Sequence, residues 1–462
     1  MSGADPGTDR PEGLFGGVLG RGSVAEQVGA QAWLRALLDV EAALARAGAA
    51  VGLVPQPAAA SITAACADTS SYDLAALARA AGEVANPVVP LVRAIEEAAG
   101  PHAGAHVHRG ATSQDVMDTA MVLVARRALL PLVKDLRAAA DDAAELAQRH
   151  RGTVLAGRTL LQQAVPTTFG LKAAGWTSLL DGPAARLSDA GAGLPVQLGG
   201  AAGTMSDAGG MGIALRRALA EQLELPVTEL PWHTLRLPVA DLAGALGTAG
   251  GALGKVALDV VLLSQSEVGE VLEGVPGRGA SSAMPHKRNP VAALSARAAT
   301  LRTPNLVATL LGVVPQEHER AAGGWQAEWE PLSDLLRCVG SAAAWIRDCL
   351  EHLEVHPERM RANLEAAGPA LAAEAVAGVL AGPLGRTRAH DRVSDAVRRA
   401  ETDGRGLRGA LLDDAELRPH LDEAVLDELL DPAAHVGEAS ALVDLALAAR
   451  RDRSAGASLR DR

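Results

Sequence analysis

Apolar residues recur every three or four positions over long stretches of this chain, a period that specifies packed amphipathic helices. Trp33, Leu37, Leu38, Val40, Ala43 and Leu44 follow it, with Arg35, Asp39 and Glu41 elsewhere on the turn. Leu129, Leu132, Val133, Leu136, Ala140, Ala143, Leu146 and Ala147 obey the same rule. Composition agrees. Of 462 residues 48% are apolar, yet the aromatics are only six Trp, two Phe and one Tyr, a poor stock for a β-sandwich or barrel. No internal repeat points to a solenoid. Residues 239–271 read as one helix of about 50 Å. Within it Gly244, Gly247, Gly251 and Gly254 are spaced 3, 4 and 3. Each costs a helix about 1 kcal/mol relative to Ala, so the stripe implies that neighbouring backbones approach closely along that face. The alternative is that these glycines break the helix into pieces.

The net charge of −12, from 55 acidic and 43 basic residues, argues against a nucleic-acid partner. Cys66, Cys338 and Cys349 form no CxxC and no disulfide framework, which suits a reducing compartment. The first thirty residues lack a secretory apolar core, and no run of 18 apolar residues is present, so the expectation is a cytoplasmic protein without a membrane partner. Residues 1–12 and 449–462 read as frayed polar tails. Pro/Gly clusters at 191–203, 274–279 and 323–324 mark loops, and beyond His356-Pro357 shorter amphipathic pieces indicate a separate small helical domain.

Three segments carry chemistry. The first is Gly279-Ala280-Ser281-Ser282-Ala283-Met284-Pro285-His286-Lys287-Arg288-Asn289-Pro290. Gly274, Gly277 and Gly279 lower the cost of moving it, as a lid requires. Asn289-Pro290 reads as an N-cap and first-turn pair opening a helix over 291–301, whose free N–H groups and partial positive charge lie beside Lys287. Hydroxyls next to a cationic anion site suit a reaction that develops negative charge. A solvated turn before a capped helix accounts for the spacing equally well. The second segment is His108-Arg109-Gly110-Ala111-Thr112-Ser113-Gln114-Asp115, where Thr112-x-x-Asp115 is a capping box ahead of the apolar run 116–130. His102, His106 and His108 have no nearby carboxylate or Cys to complete a metal site, so no metal is expected. The third runs from Gly157-Arg158-Thr159-Leu160-Leu161-Gln162-Gln163 to Pro166-Thr167-Thr168-Phe169-Gly170.

The first segment resembles the signature loop of the fumarase/aspartase superfamily, and the other two are similar to its first and second substrate-binding motifs. The resemblance covers nearly the whole chain. It implies that Ser281 is the catalytic base, a choice over Ser282 that comes from the family because spacing cannot distinguish adjacent hydroxyls. It likewise implies that Lys287 and Asn289 bind substrate and stabilise a carbanion-like intermediate. Thr112 and Ser113 are expected to hold a substrate carboxylate, with His108, Thr159, Gln162 and Met284 as further substrate contacts.

One departure matters. Leu160 stands where adenylosuccinate lyases have a histidine that takes part in protonating a departing amine. Leucine transfers no proton. A carboxylate nucleophile is already ionised near neutral pH and, in reverse, departs as a weak base, so a carboxylate closing on a double bond in its own molecule leaves a single proton transfer, at carbon.

Residues 196–204, 231–234 and 317–329 resemble the superfamily branch that cycloisomerises 3-carboxy-cis,cis-muconate to a carboxymuconolactone, with His233 and Arg320 as additional carboxylate partners. The alternative within the superfamily is loss of an amine or other nitrogen group from a succinyl compound with release of fumarate, His233 or His108 replacing the missing acid. A purely structural use of the fold does not require the Ser281, Lys287 and Asn289 set. The resemblance further implies an all-α, three-domain protein: an N-terminal helical domain over 13–107, a long central bundle over 108–355 and a C-terminal helical domain over 356–448. It also implies a homotetramer with active sites shared between subunits, a small tricarboxylate substrate and no cofactor.

Overall fold

The computed structural model describes residues 13–280, 284, 287–366, 370–404 and 406–458. The fold is all-α, interrupted among the described residues by two short antiparallel strand pairs. The helices that matter below are α1 (Ala30–Ala50), α2 (Val88–Ala99), α3 (Ser113–Arg149), α4 (Gly212–Leu223), α5 (Leu237–Leu263), α6 (Val291–Thr300), α7 (Thr303–Gly312), α8 (Trp329–Glu351), α9 (Ala370–Leu384), α10 (Arg386–Asp403) and α11 (Ala439–Ser458). The strands are β1 (Val154–Thr159), β2 (Gln162–Thr168), β3 (Val271–Glu273) and β4 (Leu353–Val355). The chain divides into two compact units, one of Met1–Ala138, Gly182–Ala257 and Ala292–Arg347, the other of Ala139–Asp181, Leu258–Val291 and Asp348–Arg462.

In the first unit, α3 buries Val116, Ala120, Val124, Ala128 and Leu132 at four-residue intervals, the face that helical periodicity marks. α5 ends at Leu263, eight residues before the expected 271. There Gly269, with φ +60°, reverses the backbone through bonds to the Gln265 carbonyl, and Val271 enters β3 opposite Val355. The glycine stripe is also redrawn. A Cβ at Gly247 would lie 2.9 Å from Val307, one at Gly250 2.8 Å from Thr303 and one at Gly254 3.0 Å from Thr300, so this face accepts α6 and α7 at close range. Gly244 and Gly251 meet nothing within 4 Å, and the contacting set is therefore 247, 250 and 254. By length and composition α5 is apolar enough to cross a membrane, with a mean hydropathy of 1.5 over 18 residues, although 56% of that window is buried inside the chain. Counting uninterrupted apolar runs misses it because charged side chains such as Lys255 and Asp259 punctuate the helix.

In the second unit, the third motif forms a β-hairpin. Val154 pairs with Thr168 at its base and Thr159 with Gln162 at its tip. Arg158 grips Glu270 bidentately, at 2.9 and 2.6 Å, and Asn363 Nδ2 donates to the same carboxylate at 2.9 Å. Val376 and Leu380 of α9 close a small core against Val393 and Ala396 of α10, with Leu407 and Leu411 beneath them. The expected tail from 449 is helical as far as Ser458. Arg450 ties α11 down, reaching Asp141 at 2.8 Å and Asp181 at 3.0 Å.

Candidate active site

Asp115 organises the part of the site carried by the first unit. Its carboxylate is 1% exposed and accepts the backbone N–H groups of Thr112 (2.9 Å), Gly199 (2.8 Å) and Gly200 (2.9 Å). The Thr112 contact is half of the expected capping box; the other two draw in the Gly-rich loop. The fourth partner is His233, whose Nε2 lies 2.6 Å from Asp115 Oδ1, with both side chains buried. A Cβ at Gly199 would come within 2.8 Å of His233 Cε1, so only glycine lets the loop cover the imidazole. Asp115 thus orients His233 and leaves Nδ1 as its other polar atom. Thr112 and Ser113 are half-buried where α3 begins, and free N–H groups there favour an anion.

Beneath this layer lies a charged cluster that the motifs do not reveal. Arg236 is fully buried and forks between Asp118, at 2.8 and 3.1 Å, and Glu328, at 3.0 and 2.5 Å. Burial opposes its charge, but the two carboxylates overcome that and raise its pKa. Glu328 is itself pushed up, because burial outweighs Arg236. Trp325 Nε1 donates to Asp118, Gln316 Nε2 to Glu328, and the Trp232 ring lies 4.8 Å under the guanidinium. Gln114 Nε2 joins the layers by donating to Asp118 (3.2 Å) and to the His233 carbonyl (2.9 Å). Trp325 precedes a 3-10 turn, Trp329 opens α8, and their rings meet edge to face at 5.0 Å.

His108 sits in the left-handed region at φ +60°, and its Nδ1 is 2.6 Å from Glu41 Oε1 on α1. Burial disfavours the imidazolium. Glu41, through charge and hydrogen bond, together with Asp115 and Glu96, more than offsets this and raises the His108 pKa. Arg320 is half-exposed and donates to the carbonyl oxygens of Ala201 (2.9 Å) and Gly200 (3.5 Å). Among the described residues no carboxylate pairs with it, so its charge is available to an anion. Gly200 therefore links Arg320 to Asp115, and the first unit gathers Thr112, His233 and Arg320 around one loop.

The second unit carries the other expected site residues. Ser281, with Ser282, lies outside the described residues. The ends of its segment are pinned together. Ala280 bridges Arg288, and the backbone N–H and Nδ2 of Asn289 both donate to the Gly279 carbonyl at 3.0 Å. α6 begins at Val291, and the Asn289 side-chain amide closes the base of the loop through its Nδ2. Gly279 has φ +71°, and a Cβ there would collide with the Asn289 carbonyl. Met284 and Lys287 are exposed, joined by a 3.0 Å bond from the Lys287 N–H to the Met284 carbonyl. Thr159 and Gln162 are exposed at the hairpin tip, flanking Leu160 and Leu161. Those two leucines are 96% and 75% exposed, with φ +51° and +65°.

Glu41, Asp118, Arg236 and Glu328 escape a motif reading. Glu41 and Asp118 show only as charged residues within largely apolar helical stretches, and Arg236 and Glu328, which lie outside such stretches, do not show at all.

The sequence profile described as Lyase matches residues 21–302, and that of the adenylosuccinate lyase C-terminus matches 369–446. The chain is 46% identical over 449 residues to the nitrosuccinate lyase of Streptomyces davaonensis, covering 94% of each. It is 47% identical over 420 residues to the 3-carboxy-cis,cis-muconate cycloisomerase of Pseudomonas aeruginosa, covering 90% of this chain and 91% of that one. The crystal structure of the 3-carboxy-cis,cis-muconate lactonizing enzyme from Pseudomonas putida superposes with a TM-score of 0.89 at 42% identity, covering 94% of this chain and 98% of the other.

Proposed function

Because the chain belongs to the lyase family of the fumarase/aspartase superfamily, we propose that it is a cycloisomerase closing 3-carboxy-cis,cis-muconate to a carboxymuconolactone. The observation that carries this reading is near full-length similarity, in sequence and in solved structure, to enzymes named for that substrate. One substrate carboxylate adds through oxygen to the diene. The displaced electron pair moves to the neighbouring carbon, where it is conjugated with a second carboxylate. Lys287 and Asn289 stabilise that charge, and Ser281 delivers the single proton to carbon. The free acid and its lactone are isomers; the ionised substrate takes up one proton, which Ser281 recovers from solvent. Thr112, Ser113, His108, His233 and Arg320 are assigned to substrate carboxylates, and Thr159, Gln162 and Met284 to further substrate contacts. The working form is a cytoplasmic homotetramer whose subunits share active sites.

Leu160 argues against loss of an amine, which needs a proton donor, yet it is compatible with any weakly basic leaving group. The similarity to the Streptomyces enzyme therefore supports a second reading, in which Ser281 removes a proton beside a carboxylate of nitrosuccinate and nitrite departs with the C–N electron pair, leaving fumarate.

One experiment decides. Purified protein is given each acid separately, and loss of diene absorbance and release of nitrite are followed. Diene loss that falls at least about a hundredfold in Ser281→Ala supports the cycloisomerase. Nitrite release with the triacid untouched replaces it with the lyase. Turnover undiminished in Ser281→Ala removes the assigned proton donor.

A further inference from the structure

We propose that Glu41 is a positioning residue that holds His108 as an imidazolium, so that His108 binds a substrate carboxylate and does not shuttle a proton. The inference rests on the reading above in needing an anionic substrate. Glu41 is 1% exposed in the middle of α1, and His108 Nδ1 is its hydrogen-bond partner at 2.6 Å. Among the described residues its second oxygen, Oε2, is buried without a partner. A carboxylate so placed is strongly disfavoured unless a cation answers it, and the group in contact is the imidazole.

The field around that ring is one-sided. Glu41 faces it from α1, Glu96 from α2 and Asp115 from the first turn of α3. The nearest cation in sequence, Arg109, has its guanidinium 3.5 Å from His106 Nδ1. Left-handed backbone at a non-glycine residue is costly and persists where its surroundings dictate it; at His108 the grip of Glu41 is such a surrounding. With Nδ1–H given to Glu41, Nε2–H remains as a charged donor. A histidine held in this state is a strong carboxylate ligand and a poor proton relay near neutrality.

The test uses full-length protein with 15N-labelled histidine, the His108 signal being assigned with His108→Asn. Glu41→Gln keeps the side-chain shape and an acceptor for Nδ1–H but removes the charge. The expected result is a His108 titration midpoint displaced acidward by about one pH unit or more. With the triacid, KM at pH 8 rises about tenfold and returns towards the wild-type value at pH 6, while kcat stays within about twofold. An unmoved midpoint overturns the proposal. So does a kcat loss with KM unchanged, which would make His108 a proton donor. If Glu41→Gln does not fold, as read by circular dichroism, the wild-type midpoint decides: one at or below the ordinary histidine value also overturns it. Absence of triacid turnover sinks the cycloisomerase reading alone, because the NMR titration needs no substrate.

Discussion

Asp118, Arg236 and Glu328 are each at most 1% exposed and answer one another through side chains from three distant parts of the sequence. The 279–290 segment is secured differently. Its ends meet through the Gly279 carbonyl and the Asn289 amides, while Met284 and Lys287 face solvent. The first arrangement places charge where water cannot screen it, so every member depends on the others. The second depends on backbone shape and keeps Met284 and Lys287 at the surface. One chain thus positions its site residues by buried electrostatics in one unit and by a backbone clasp in the other.

Two substitutions probe that difference. Arg236→Met strands two buried carboxylates and is expected to cost about 3–5 kcal/mol in urea unfolding. The loss should shrink on acidification. Unpartnered buried carboxylates have pKa values raised above those of the unfolded chain, so the folded state takes up protons as pH falls and recovers stability. A loss of the same size at pH 5 and pH 8 would break the electrostatic half of the comparison. Gly279→Ala forces a Cβ into left-handed backbone against the Asn289 carbonyl, and a smaller loss of about 1–2 kcal/mol is expected, independent of pH. A variant with unchanged stability and kcat/KM would show that the clasp does not hold the segment.

Helix content, the three motif segments and the family were legible in the sequence because each is a local pattern: a period, a cap, a spacing. The long α5 was legible too, but not its end, because Gly269 acts only together with the Gln265 carbonyl it turns back upon. Asp115 reads locally as half of a capping box, and folding gives it Gly199, Gly200 and His233, about 84 to 118 residues away. The partnership of Asp118, Arg236 and Glu328 has no local signature at all, since it joins a helix, a loop and a 3-10 turn that meet only after the chain collapses. Asn289 before Pro290 reads locally as a cap, and the donation of its Nδ2 to the Gly279 carbonyl, ten residues back, has no such local mark.

The hairpin tip has a consequence for the order in which the chain assembles. Asn-Gly satisfies two successive left-handed torsions with little opposition, whereas Leu160 and Leu161 resist them and wet their side chains as well. Such a bend does not nucleate its own strands. Pairing is expected to zip upward from Val154 opposite Thr168, aided by the Arg158 fork on Glu270, and to fray first between Thr159 and Gln162, where amide hydrogen exchange would register the earliest opening.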